Sequence, residues 1–362
     1  MPNWSAIADS LTLNIGTFQK GQWDLVMLAQ RYPKLEVIEQ LIPRKTSASN
    51  YEATVVYQTR TEPTGGGRVI GQPVQPTQRE KALRRKVHLV KDGDELGWYA
   101  DQETLQGKSD EHIVKQMAMD LAEFDMHRWE RLEHYLLRIP ASTDPDDDEP
   151  MFGFNAWVTA KTVPGTNEFD LYGGADPYSN GRPGSISVDD EPGFTNPTAT
   201  FQAVSDGDLF DKLESFLINR KMMPVVANPG LVPDTPNDVG YFNEKVVKAV
   251  QRYLTAGNEN IGMDAGRYRG AATYKGIPFV VWHAANHTDS PVQESGCKGR
   301  VIDWNSFKYN VEPSYDHKVD GPTPINLTPG GLYITSQTWH QITCDRPDRN
   351  LYLESGTTAL AN

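Results

Sequence analysis

One long helix constrains this chain more than any other feature. From Ser109 to Arg138, Ile113, Met117, Leu121, Phe124, Trp129, Leu132 and Leu136 recur at spacings of three to five and draw a single apolar stripe. Lys115, Glu123, Arg131 and Glu133 fall away from it. Ser109 or Asp110 supplies an N-cap, and Pro140 stops the run. At about 1.5 Å per residue this helix spans about 45 Å, a strut rather than an ordinary element of a small domain. It does not imply a helical bundle. The sequence holds 30 Gly and 25 Pro, much of it between residues 140 and 240, which calls for long irregular connections.

Upstream, residues 1–49 read as an extended arm with one short helix, its apolar stretches Trp23–Tyr32 and Leu35–Ile42 ended by Pro33 and Pro43. The next segment alternates: Tyr51, Ala53, Val55, Tyr57 and Thr59 share one face of a strand over Tyr51–Arg60, and a second strand fits Ala82–Val90. Pro63, Gly65–Gly67, Pro73 and Pro76 lie between them, so the two are expected to form a hairpin with a long tip. Two strands alone are marginal in water and expose both edges, so the hairpin needs a surface to lie on. Its second strand is basic. Arg79, Lys81, Arg84, Arg85, Lys86 and Lys91 stand against Glu80 alone in a chain of formal net charge −13. These six residues are the candidate intersubunit contact, a positive hairpin lying across the acidic body of a neighbour, although a solvated strand face would read the same way.

Downstream, an acidic loop over Asp144–Glu149 leads into an irregular region reaching about Thr200. Asp206–Met222 and Val239–Thr255 read as amphipathic helices. Ala271–His283, Arg300–Val311 and Gly331–Cys344 are strand candidates, and Leu351–Leu353 adds a short one. Arm, hairpin, long helix and then mixed elements place the chain in the α+β class.

No catalytic constellation announces itself, and no metal or cofactor is expected. His283 and His287 have His-x3-His spacing, but no Glu follows the first, and the segment leaves a strand instead of lying in a helix. The acidic loop lacks the spaced ligands of a calcium site, and no Lys-Ser/Thr follows Gly65–Gly67 as a phosphate loop requires. Asp189, Asp190 and Glu191 precede Pro192 as loop acids do. Cys297 and Cys344 are too few for a disulfide framework and read as two reduced, buried thiols. There is no run of about 18 apolar residues for a membrane span, and Met1–Leu13 lacks the layout of a secretory signal, so the expected compartment is the cytoplasm. An acidic chain makes a poor dedicated nucleic-acid binder but a suitable container wall, because like charge keeps an enclosed polyanion from sticking.

The order of elements, together with Met151-Phe152-Gly153-Phe154-Asn155-Ala156-Trp157-Val158, Gly173-Gly174-Ala175-Asp176, Tyr268-Arg269-Gly270, Tyr274-Lys275-Gly276-Ile277-Pro278-Phe279-Val280 and Ile302-Asp303-Trp304-Asn305, resembles the major capsid proteins of tailed bacteriophages with the Hong Kong 97 phage fold. The resemblance implies an N-terminal arm (1–49), an extended hairpin loop (50–106), a peripheral domain with the spine helix (107–204), an axial domain (205–335) and a C-terminal strand returning to the body (336–362). It also implies hexamers and pentamers of the chain forming an icosahedral virion head, assembled in the host bacterial cytoplasm and enclosing double-stranded DNA without sequence-specific binding. Expected partners are copies of itself, a portal protein and a separate scaffolding protein, since no N-terminal coiled-coil segment is visible. A cement or decoration protein and covalent cross-linking stay open. The alternatives are an encapsulin-like bacterial compartment shell and, from another class, a metal-dependent hydrolase using His283 and His287.

Overall fold

The computed structural model describes residues 36–48, 51–57, 83–98, 110–137, 151–160, 169–178, 181–187, 189, 193–222, 238–257, 272–282, 298–324 and 332–355. In chain order the described residues give α1 (Glu36–Leu41), β1 (Lys45–Ser47), β2 (Glu52–Tyr57), β3 (Leu83–His88), β4 (Val90–Trp98) and the long α2 (Asp110–Tyr135). Then come α3 (Phe154–Trp157), β5 (Phe169–Asp170), β6 (Thr198–Phe201), a π-turn over Asp206–Phe210 running into α4 (Asp211–Met222), β7 (Asp238–Phe242) and α5 (Glu244–Gly257). The rest is strand: β8 (Thr273–Tyr274), β9 (Ile277–Val281), β10 (Lys298–Asp303), β11 (Phe307–Val311), β12 (Lys318–Pro324), β13 (Leu332–Cys344) and β14 (Leu351–Ser355).

Two large sheets organise the molecule. In the first, β13 pairs with β4 along one edge, while β11 and then β12 follow one another along the other. The short β1 adds in parallel outside β11. The second sheet has the order β5-β6-β14-β10-β7-β9-β8, with β6 parallel to β14 and β7 parallel to β9 across α5. This second sheet separates two apolar cores. Phe242, Val301, Leu351 and Leu353 face α4 and α5, while Tyr241, Ile302 and Tyr352 face a larger core with Phe154, Trp157, Trp282 and Trp304.

Burial on both faces explains the main departures from the sequence pattern. Val239-Gly240-Tyr241-Phe242 is strand β7, wholly buried, and not the first turn of a helix. A strand covered on both sides loses its period-2 signature and reads as a plain apolar run. The helix starts after it, with Asn243 Oδ1 accepting from Val246 N at 2.9 Å as its cap. The single strand expected over Ala271–His283 is a tight hairpin, β8 to β9, turning at Lys275 (φ 48°) and Gly276 (φ 87°), the positive pair that a two-residue turn requires. Arg300–Val311 likewise divides: β10 belongs to one sheet and β11 to the other, with a 3-10 turn at Trp304–Ser306 between them. The acidic loop over Asp144–Glu149 and Cys297 lie outside the described residues. Cys344 is a buried free thiol.

The long helix lies against one face of the first sheet. Met117, Leu121, Leu132 and Leu136 of its stripe are buried. Two residues expected on the solvent side turn inward instead. Glu133 is buried and accepts from Trp282 Nε1 at 3.2 Å, and Arg131 reaches Asp92 (2.9 Å) and Asp94 (2.8 Å) on β4. The cause is that the body wraps more of the helix than its apolar stripe covers, so charged side chains beside the stripe meet partners on the protein.

The chain leaves the helix through a close crossing. Phe154 N donates to Leu136 O at 2.7 Å and Asn155 Nδ2 to Leu137 O at 2.5 Å, with Gly153 pressed against the helix end. The irregular segment beyond is held by Arg182, which has no solvent exposure. Its guanidinium donates to Trp157 O, to Thr159 Oγ1, Thr195 Oγ1 and Asn196 Oδ1 (3.1 Å each) and to Ala175 O (3.5 Å). Burial lowers its pKa to about 10, with Asp176 pulling the other way, so it stays charged at neutral pH.

Candidate intersubunit surface

The base of the hairpin is built by β2 and β3, antiparallel, with Ala53 opposite Val87, Val55 opposite Arg85 and Tyr57 opposite Leu83. Ala53, Val55 and Val87 are buried, so this face lies on the chain's own body. Two polar contacts fix it there: Val56 N donates to Asp345 Oδ1 at 3.0 Å, and Gln341 Nε2 donates to His88 O at 3.2 Å. The surface that the hairpin base needs is thus supplied within the subunit. The tip, 58–82, including Arg79 and Lys81, lies outside the described residues.

Arg84, Arg85, Lys86 and Lys91 are all exposed, but they do not form one patch. Successive strand residues point to opposite faces, which the linear run of charge conceals. Arg84 and Lys86 stand on the outer face beside Val56 and Thr54, where Lys86 pairs with Glu52 at 2.5 Å. Arg85 belongs to the inner face and comes out at its margin, beside Gly184. Lys91 sits in β4 opposite Trp339, on the first large sheet. So two of the six candidates share the outward face of the hairpin base, two lie elsewhere and two are outside the described residues.

An aromatic cluster that the sequence pattern did not single out adjoins this base. Tyr51, 47% exposed and in the left-handed region (φ 59°), has its ring 4.6 Å from that of Trp339, and Tyr315 lies 5.1 Å from Trp339 on another side. Beneath them Ala48, Ala53 and Leu89 form a small apolar cluster separate from the main cores. Lys318 stands 5.6 Å over Tyr315. Half-exposed aromatics over a thin apolar base are the material of contact hot spots. The available signal was Trp339 in a strand whose alternate residues are polar, which marks an aromatic on the open face. Along the same face Lys91, Gly93, Glu95, Thr335 and Gln337 line a shallow polar trough.

No site for chemistry emerges among the described residues, where no group of three or more His, Cys, Asp or Glu is placed to hold a metal ion. His283 and His287 lie outside them. No described helix is long and apolar enough to cross a membrane.

No protein-family model and no curated protein matches the sequence. Solved structures do. The chain is similar to the "Cyanophage A-1(L) capsid asymmetric unit" at TM-score 0.59, with 12% identity over 90% of this chain and 94% of that one. It is similar to the "Capsid of native GTA particle" at TM-score 0.52, with 12% identity over 90% and 91%, and to the "Capsid of empty GTA particle" at 0.50, with 11% identity over 89% and 96%. At such identities the likeness establishes the fold, which nearly the whole chain shares with these subunits.

Proposed function

We propose, from the premise that this chain has the Hong Kong 97 capsid fold, that it is the major capsid protein of a tailed bacteriophage, assembling as hexamers and pentamers into a shell around double-stranded DNA. The observation that carries the reading is the match along 90% of the chain to a cyanophage capsid subunit. Composition supports it: a net charge of −13 suits a wall that encloses DNA without gripping it. The reading assigns the chain no catalytic role. It brings with it a separate scaffolding protein and a portal protein as partners, and residence in the virion.

Negative-stain electron microscopy of the expressed chain, alone and with a co-expressed scaffolding product, tests this directly. Shells, tubes or hexameric rings are expected. A monodisperse monomer under both conditions would sink the reading.

In such a shell the outward basic face of the hairpin is the part that reaches an acidic neighbour. The double variant Arg84→Glu and Lys86→Glu, with Arg85 of the inner face left in place, is expected to abolish assembly at moderate salt while near-UV circular dichroism stays that of the parent. Exposed charges of this kind contribute only about 0.2–1 kcal/mol each to a subunit's own stability. Normal shells from this variant would remove the hairpin contact and leave the capsid reading standing.

A further inference from the structure

The seam between α2 and the first sheet is polar where a packed helix is ordinarily apolar. Even-numbered residues of β13 face the helix, and three in succession, Ser336, Thr338 and His340, are polar and 2% exposed. Opposite them on β4 stand Asp94 and Asp92, and the helix brings Arg128 and Arg131 down onto the strip. His340 lies at its inner end. Its Nδ1 is 2.8 Å from Tyr309 Oη, while its Nε2 and the Thr338 Oγ1 have no hydrogen-bond partner among the described residues. A buried imidazole with one satisfied nitrogen, under two guanidinium groups, has room in its chemistry for one more proton and nothing to stabilise it.

We propose that His340 is an acid-operated release between the long helix and the first sheet: when the imidazole takes up a proton, α2 parts from β4 and β13 while the core between the second sheet and α4 and α5 holds. This goes beyond the capsid reading and stands independently of it.

Every charged or titratable group facing the imidazole bears on the sign. From α2, Arg128 and Arg131 oppose protonation. From β11, Tyr309 stays neutral, its hydroxyl pKa raised by burial, with Arg128 pulling the other way and Asp316 and Asp92 adding to the rise. From β4, Asp94 and Asp92 hold Arg131. Burial, then Arg128 and Arg131, lower the His340 pKa to about 3 from the ordinary 6.5. A histidine whose closed-state pKa lies below its free value binds its proton on opening, so the closed seam keeps its full stability above pH 6.5 and loses it as pH falls toward 3. Asp92 works the other way, because burial raises its carboxyl pKa against the pull of Arg131 and Arg128 and the closed seam therefore takes up that proton the more readily. Variants at His340 with Asp92 untouched separate the two.

The test is amide hydrogen exchange of the full chain between pH 7.5 and 4.5, corrected for intrinsic rates. Peptides from α2 and β13 report the seam, and peptides from α5 and β14 serve as the internal reference. His340's share of the opening ratio is about a 100-fold rise over this range, and His340→Gln, which keeps an amide near Tyr309 but cannot titrate, is expected to lose that rise. The same pH dependence in His340→Gln as in the parent overturns the proposal. Should that variant fail to fold, His340→Phe takes its place: its ring fills the same site and cannot titrate, and a rise equal to the parent's overturns the proposal equally.

Discussion

Arg182→Met is expected to lower the stability of the subunit by about 3–5 kcal/mol, the range for breaking a buried charged network by deleting one member. Methionine fills much of the volume and so isolates the loss of the donors. Five acceptors converge on the guanidinium, and three of them, Thr159 Oγ1, Thr195 Oγ1 and Asn196 Oδ1, come from segments with no regular secondary structure of their own. Neighbours offset part of the loss, since Asn196 Oδ1 still accepts from Thr159 N and Thr195 Oγ1 still donates to Gly174 O. The Ala175 carbonyl likewise keeps its 2.6 Å bond from Thr159 Oγ1, which leaves the Trp157 carbonyl as the acceptor that loses most. Gly174 is part of the same construction, because a side chain there would start 2.2 Å from Asn196 Oδ1 and 2.8 Å from Arg182 Nη2. Urea titration followed by circular dichroism measures the loss. A midpoint equal to the parent's would mean that the clamp is dispensable and that the apolar contacts of Phe152, Trp157 and Phe194 hold this segment unaided.

Gly153→Ala should cost nearly as much, about 3–4 kcal/mol, combining the strain of overpacking with a compromised hydrogen bond. An added methyl group would stand 2.3 Å from Leu136 O, 2.5 Å from Leu136 C and 2.6 Å from Tyr135 O. All three atoms are backbone at the end of the long helix, so no side chain can swing aside. Either the Phe154 N to Leu136 O bond opens or the helix end shifts, and Phe154 is drawn out of an aromatic group with Trp282, Trp304 and Phe307. Gly207→Ala is the control, because nothing lies within 4 Å of a side chain there, and its melting temperature should stay at or above the parent's. Equal melting temperatures for Gly153→Ala and the parent would refute the packing argument.

What could be read from the sequence follows from how each element is buried. The long helix and β13 each show the world one wet side, so their periods survive in the letters. The strands of the second sheet are covered on both faces, and Val239–Phe242 passes for part of a helix until β10 and β9 are seen on either side of it. Lys91-Asp92-Gly93-Asp94-Glu95 has the composition of a loop, yet it is the middle of β4, because Asp92 and Asp94 are held by Arg131 from a helix that follows 12 or more residues later. No local pattern carries that information. The basic run suffered from the opposite illusion. Charge is visible in sequence and facing is not, so Arg84, Arg85 and Lys86 look like one patch until the pleat divides them. The aromatic cluster of Tyr51, Trp339 and Tyr315 joins positions too distant in the chain for any periodicity to connect.

The placing of β13 and β14 has a consequence for when the subunit comes into being. Each is an interior strand: β13 has partners on both edges, and β14 lies between β6 and β10. Both large sheets therefore have a gap at an interior position until residues 332–355 have left the ribosome. A nascent chain halted earlier holds β4, β11, β6 and β10 with their hydrogen-bonding edges unanswered, and pairing so distant in sequence closes slowly and late. Synthesis itself thereby acts as a timer: neither sheet can close, and no surface built on both is in place, until that last stretch has emerged.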